Sequence, residues 1–184
     1  MNPDEPEEWK AEIQSHREQK IETFQSQTDS PLSESARNSF SEIDFFPIDA
    51  SFRLGGRLEL FAEPTNATLE ATQGPPISFE QVGQVGVELA GELSVLSVYR
   101  APGVDALLLP FRDPTNGSST WAHGRYLNIP APDPKATDKS TPVDTVVDFN
   151  VGYHPLCVYD DTVRSAKAPT DNEFDVPIQA GERL

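Results

Sequence analysis

The sequence predicts a mainly β protein: one antiparallel, barrel-like domain with an α-helix packed outside it. Three observations carry this expectation. From about residue 44 onward, short apolar or alternating runs recur with turn signals at roughly 8–12-residue intervals, the pattern of a barrel or sandwich. No later stretch has a helical period long enough to serve as a crossover helix, so an α/β fold with a parallel sheet is not expected. The first forty residues alone carry helix signals. With 184 residues the chain suffices for one domain with a real core and is short for two. We therefore expect a single domain over 1–184, with a helical segment at 1–40 and a β domain at 44–184.

The helix is expected to start at Asp4, whose spacing to Glu7 is that of a capping box with Pro6 in the first turn, and to run to about Gln25. Trp9, Ile13, Ile21 and Phe24 form a thin stripe with His16 and Arg17 between them. Such a stripe suits a helix that lies on something larger. Ser30-Pro31 ends it, and a short second helix is expected from Ser33 to Phe40. Phe52, Leu54, Leu58 and Leu60 then alternate with Arg53, Arg57 and Glu59 as a half-buried strand, in which Gly55-Gly56 marks a bulge or a close backbone approach. The segment Asn66–Thr72 is expected to pair back across a turn at Pro64. Gln81–Leu89 and Glu92–Tyr99 flank Ala90-Gly91 as a hairpin. Val104–Phe111 reads as a strand buried on both faces. Thr120–Ile129, Val143–Phe149, Tyr153–Tyr159 and Val176–Gln179 complete roughly eight to ten strands, separated by loops at 130–142 and 160–173.

Charge narrows the function. The formal net charge is −16, with acidic residues dispersed along the chain. Nucleic acid is excluded as a partner, because binding it needs a basic footprint. An anionic membrane surface is excluded on the same ground, and the longest apolar run is far short of the ~20 residues of a membrane helix. The N-terminus lacks the apolar stretch of a secretory signal, so a cytoplasmic location is expected. Only five lysines are present. An acid-rich, lysine-poor surface suits a cytoplasm of high salt, where screening removes self-repulsion. Cys157 is the sole cysteine, so no intrachain disulfide can form.

Two stretches concentrate polar chemistry. In the first, Phe111 to Arg125, Asn116-Gly117 is a turn signal that Asp113 and Thr115 can close with side-chain bonds to backbone. The plain reading is a stapled turn. The functional reading makes Arg125 a forked clamp for an anion, with Asp113, Thr115 and Thr120 beside it. The second, Asp148 to Cys157, gathers Asp148, Asn150, Tyr153, His154 and Cys157 within ten residues. Asp148 and Asn150 share a strand face, and Asp148 or His154 could act as a general base. Metal binding is not expected, since no second Cys or His stands at ligand spacing. Cys157 at a strand end reads better as a small buried hydrophobe than as a nucleophile.

These stretches carry a resemblance. F-x-D-x-T-x-G-x-x-T-W-x-x-G-R from Phe111, D-F-N-x-x-Y-H-P-x-C from Asp148, and Ala180-Gly181-Glu182 resemble domain-of-unknown-function family 1684. The N-terminal half is similar too, through Trp9, the Arg17–Lys20 region, Phe24, Ser30-Pro31-Leu32 and the run from Phe46 to Arg53. The resemblance covers nearly the whole chain and implies a mainly β protein of bacterial or archaeal type, here a haloarchaeal member by its composition. It brings no established activity or cofactor. Members similar to this chain usually have Asn where it has His154 and often Tyr where it has Trp121. Many carry a Cys-Pro-rich segment where it has Ser165 to Asn172, without cysteine.

The reading that follows is a protein binding a small, anionic molecule in a β-domain pocket. Its site would draw on Arg53, Asp113, Thr115, Thr120, Arg125, Asp148, Asn150, Tyr153, His154 and Cys157. Two alternatives stand beside it: a cofactor-free or metal-assisted hydrolase using Asp148 or His154, and a structural or protein-interaction module in which both motifs staple turns.

Overall fold

The computed structural model describes residues 5–100, 106–132 and 141–184. Helix α1 spans Glu5–Gln25 and α2 spans Glu34–Ser39. Trp9, Ile13 and Phe24 are buried, as the stripe predicts. Each contributes about 1.5–3 kcal/mol by leaving water, which holds a helix whose other faces are polar. Arg17 is buried among them. Its Nη1 donates to the Phe46 carbonyl at 2.9 Å and its Nη2 to the Asn150 carbonyl at 3.2 Å. Ser33 caps α2 by accepting from the Ala36 amide at 3.3 Å, and the helix ends at Phe40 as expected. The capping role assigned to Asp4 lies outside the described residues.

The remaining elements are β1 (Asp44–Phe45), β2 (Arg53–Leu69), β3 (Ile77–Leu89), β4 (Glu92–Arg100), β5 (Leu107–Phe111), β6 (Arg125–Ile129), β7 (Val143–Asp148) and β8 (Glu182–Arg183). Six form one antiparallel sheet in the order β6-β5-β4-β3-β2-β7, curled into a half-barrel. β1 and β8 pair separately. The β3–β4 hairpin turns on Ala90 (φ 54°) and Gly91 (φ 85°), two consecutive left-handed residues that match strand twist. Gly56 is the close approach: a Cβ there would stand 3.2 Å from side-chain atoms of Val85, Thr145 and Val147.

Four expectations need correction. The chain does not fold back at Pro64. β2 continues to Leu69, with Asn66 opposite Glu80 of β3, and a register shift between Leu60 and Thr65 absorbs the proline that could not donate to a regular ladder. β6 begins at Arg125 instead of Thr120, because residues 113–124 are spent on side-chain-closed turns. Tyr153–Tyr159 is not a strand: Tyr153 makes one bridge to Tyr126, and Leu156–Val158 is a single turn of 3-10 helix after Pro155. Val176–Gln179 forms no ladder with any strand among the described residues. It threads the half-barrel, where Phe174, Ile178 and Ala180 are buried. Most of the loop expected at 130–142, and the start of the run from Val104, fall outside the described residues.

Alternation along the strands sorts two faces. Val85, Leu96, Leu107, Leu109, Leu127 and Val147 point inward and pack against Phe111, Phe149 and the threaded tail. The interior of the half-barrel is therefore a filled core. Ile77, Phe79, Leu108 and Tyr126 point outward and form a second apolar layer with Tyr153 and Ala166. That outer layer is where the fold leaves space.

Candidate functional site

The first polar stretch is a lock on the tail. Asp113, Thr115, Thr120 and Arg125 are all buried, at no more than 4% exposure. Asp113 Oδ1 accepts from the Thr115 hydroxyl at 2.9 Å and from Arg125 Nη2 at 3.3 Å. Its Oδ2 accepts from the amides of Thr115 at 3.2 Å and Ile178 at 2.7 Å. The Thr115 and Thr120 hydroxyls bond each other at 2.8 Å. Arg125 Nη2 also donates to the Ile178 carbonyl at 2.7 Å, and Nη1 donates to the Ala180 and Glu182 carbonyls. Both terminal nitrogens of the expected anion clamp are thus committed to the protein's own tail. None of these four residues lines the cavity on the outer face of the sheet. In them the stapled-turn reading holds.

The second stretch divides. Asp148 accepts from Trp9 Nε1 at 2.7 Å and from the Asn150 amide at 3.0 Å, with Arg53 Nε 3.7 Å away. The Arg53 guanidinium lies over the Trp9 ring, 5.4 Å from its centroid. Asp148 and Arg53 therefore fasten α1 to the sheet. Asn150 braces the Asp49 backbone through its side chain, at 2.9 Å both to the amide and to the carbonyl. Cys157 is half-buried, its thiol pushed up by burial, and it does not line the cavity.

Asn150, Tyr153 and His154 do line a cavity, of about 600 Å³. It lies between α1, the outer sheet face and the segments 150–156 and 163–166. One wall is apolar: Ile77, Phe79, Leu108 and Tyr126 from the sheet, Leu156, Val163 and Ala166 opposite, and Phe24 from the helix. The helix edge is cationic, with Arg17 and Lys20. Lys20 Nζ donates to Glu182 Oε1 at 2.5 Å and sits 4.9 Å from the Tyr153 ring centroid and 5.2 Å from that of Phe24. Glu182 Oε2 accepts from the His154 amide and the Tyr159 hydroxyl, both at 2.7 Å. Burial, and then the Glu182 charge, raise the Tyr159 phenol; burial first, with the Glu182 charge and against the Asn128 hydrogen bond, pushes Tyr153 up to about 12.

His154 is 1% exposed. Burial, followed by the charges of Arg125 and Lys20, pushes it down to about 3, so the ring is neutral. Its Nε2 accepts from the Trp121 amide at 3.2 Å, which places the proton on Nδ1, 3.8 Å from Glu182 Oε2. The lone pair that a general base needs is used. Asp148, the other proposed base, has both carboxylate oxygens engaged. Among the described residues no three His, Cys, Asp or Glu side chains group to hold a metal ion. Nor is any described helix long and apolar enough to cross a membrane.

The residues missed from the sequence are Arg17, Lys20 and Glu182. A signal for the first two was present. Trp9, Ile13, Arg17, Lys20 and Phe24 follow steps of four, four, three and four, so two cations occupy stripe positions where apolar residues belong.

The family described as "Protein of unknown function (DUF1684)" matches residues 38–183, and the chain belongs to it. No curated protein matches. Among solved structures, the chain is similar to the solution structure of an uncharacterised protein from Haloarcula marismortui, at 28% identity and a TM-score of 0.73. That likeness covers 98% of this chain and 97% of the other.

Proposed function

We propose that this family member binds a small, largely apolar molecule bearing an anionic group, in the cavity between α1 and the outer face of the sheet. The observation that carries this is the cavity itself. Its volume of about 600 Å³ is that of a ligand pocket, and apolar walls meet cations at one edge. Tyr153 and the unpartnered His154 Nδ1 supply the few fixed polar groups that orient a ligand, while Asn150, whose side chain is spent on Asp49 and Asp148, shapes the wall. The remaining residues expected at the site serve the fold.

The test is uptake of N-phenyl-1-naphthylamine, a neutral apolar fluorophore. The protein is expected to take up one equivalent, with enhanced emission. Ile77→Trp fills the cavity from a half-buried position on its wall and is expected to abolish uptake while leaving the circular dichroism spectrum unchanged. Equal uptake by both proteins would place the fluorophore elsewhere and overturn the reading.

The charge of −16 and the five lysines support a second element of the proposal, that the protein is salt-adapted and cytoplasmic. Its likeness to a Haloarcula marismortui protein is in keeping with this.

A further inference from the structure

We infer that Arg17 seats the carboxylate of an apolar monocarboxylic acid, a fatty or aryl acid, in this cavity. The inference rests on the proposed cavity reading and specifies its ligand. It begins with a charge left over. Three cations and two carboxylates lie where α1 meets the sheet. Arg53 pairs with Asp148 at 3.7 Å and Lys20 pairs with Glu182 at 2.5 Å. Arg17 has no carboxylate within 4 Å among the described residues, although its side chain is 7% exposed. Its guanidinium is held by two carbonyls and lies 4.6 Å from the Phe45 ring centroid, and the carboxylates of Glu182 and Asp148 act on it only from beyond contact distance. Its burial is costly unless an anion joins it.

Unused donors point the same way. Arg17 Nε is buried and has no hydrogen-bond partner, because Nη1 and Nη2 are spent on the Phe46 and Asn150 carbonyls. His154 Nδ1, the nitrogen that carries the proton, is also buried without a partner. Both side chains line the cavity. Among the described residues four buried side-chain donors lack a partner, Nε of Arg17, Arg112 and Arg125 and Nδ1 of His154, and the two that share one cavity mark where a ligand's acceptor would fit. Arg164, the other lining cation without a carboxylate partner, is exposed and donates to the Pro75 and Pro76 carbonyls, so Arg17 is the one buried charge left over among the described residues; that fits a monoanion better than a phosphate or a dicarboxylate, since Glu182 on the same wall repels a second negative charge. The apolar walls on Phe79, Leu108 and Ala166 fit the hydrocarbon part.

The experiment compares decanoate with decanol, its neutral counterpart, as competitors of bound N-phenyl-1-naphthylamine. Both are used below their aggregation range and at constant ionic strength. Decanoate is expected to compete roughly tenfold to a hundredfold more tightly, the worth of one charge-assisted hydrogen bond. In Arg17→Gln that advantage is expected to vanish. Where Arg17→Gln does not fold, Arg17→Lys keeps a charge and loses the fork, and is expected to lose most of it. Equal competition by the two ligands in the unmodified protein overturns the inference and leaves the cavity reading intact. A full advantage in either folded variant overturns Arg17 as the seat. Failure of the fluorophore to bind at all overturns the cavity reading itself.

Discussion

Arg125→Lys separates the two roles that the sequence allowed for Arg125. The guanidinium is fully buried and donates to four acceptors: the Ile178, Ala180 and Glu182 carbonyls and Asp113 Oδ1. An ammonium keeps the charge but is a single point with three donors, on a stem that does not reproduce the planar fork. At least one acceptor loses its partner outright, and a second is met at poor geometry. Each buried acceptor left unpaired costs about 1–3 kcal/mol, so the substitution is expected to destabilise by roughly 2–4 kcal/mol. Against a total of about 5–15 kcal/mol for a domain, that loss moves a denaturation midpoint well outside error. The assay is guanidinium denaturation followed by tryptophan fluorescence, with fluorophore uptake measured below the transition. The midpoint is expected to fall and the affinity of the folded protein to stay constant, because Arg125 does not line the cavity. An unchanged midpoint with lost uptake would refute the lock and restore Arg125 as an anion clamp.

Three further outcomes are expected. His154 lies near 3 in the fold against 6.5 for a free imidazole, so below pH 6.5 the unfolded chain binds a proton that the folded chain refuses. Stability therefore falls with acidification between those two values, by up to about 1.4 kcal/mol per pH unit from this group. His16 and His123, also lowered, act in the same direction, so His154→Asn should flatten the slope of stability against pH without abolishing it. Gly181→Ala should cripple folding: at φ +76° its Cβ would lie 2.4 Å from the Gly152 carbonyl oxygen. Gly91→Ala, at φ +85° with open space around it, should cost only the ~1–2 kcal/mol of a left-handed alanine, and comparing the two melting temperatures checks this. Finally, the melting temperature should rise with potassium chloride up to the molar range, where charges are screened within ~3 Å; a melting temperature independent of salt would count against salt adaptation.

How legible the protein was depended on whether a signal was local. Ser33 and Pro31 announce α2, and Ala90-Gly91 announces its hairpin, because a cap or a tight turn is decided by the residues that form it. The continuation of β2 past Pro64 was not legible. A proline normally ends a ladder, and only the partner strand shows that the register slips between Leu60 and Thr65 to admit it. The tail misled for a related reason. Val176 to Gln179 has strand composition, yet the Ile178 amide goes to the Asp113 carboxylate and not to a ladder. Of the site, Asn150, Tyr153 and His154 were found because they crowd one short stretch. Arg17 reads in the sequence only as a residue between the apolar positions of the stripe, and Lys20 only as part of the family resemblance. Their significance depends on which residues they face across the fold, and that is not written in α1.

Glu182 explains why the lock and the cavity belong to one arrangement. Its backbone carbonyl accepts from Arg125 at 3.2 Å, and its amide donates to the Gly152 carbonyl at 2.9 Å. Its carboxylate turns the other way, to Lys20, Tyr159 and the His154 amide. The buried Asp113–Arg125 pair thus holds the tail next to Glu182, the tail residue that lines the cavity. A buried ion pair is weak evidence for stability alone, since apolar residues of similar volume often serve as well. Here it adds to the short β1–β8 pairing at Glu182 and Arg183: its bonds to Ile178, Ala180 and Glu182 hold the run that precedes that pairing in the same register. A slip of one residue would withdraw the Glu182 carboxylate from Lys20. Lys20 would then join Arg17 as an uncompensated cation, and the charge balance that selects a monoanion would be lost. The specificity inferred for the cavity therefore depends on a lock on the far side of the sheet: the first motif acts on the cavity through Glu182, which it positions, while the second lines it directly with Asn150, Tyr153 and His154.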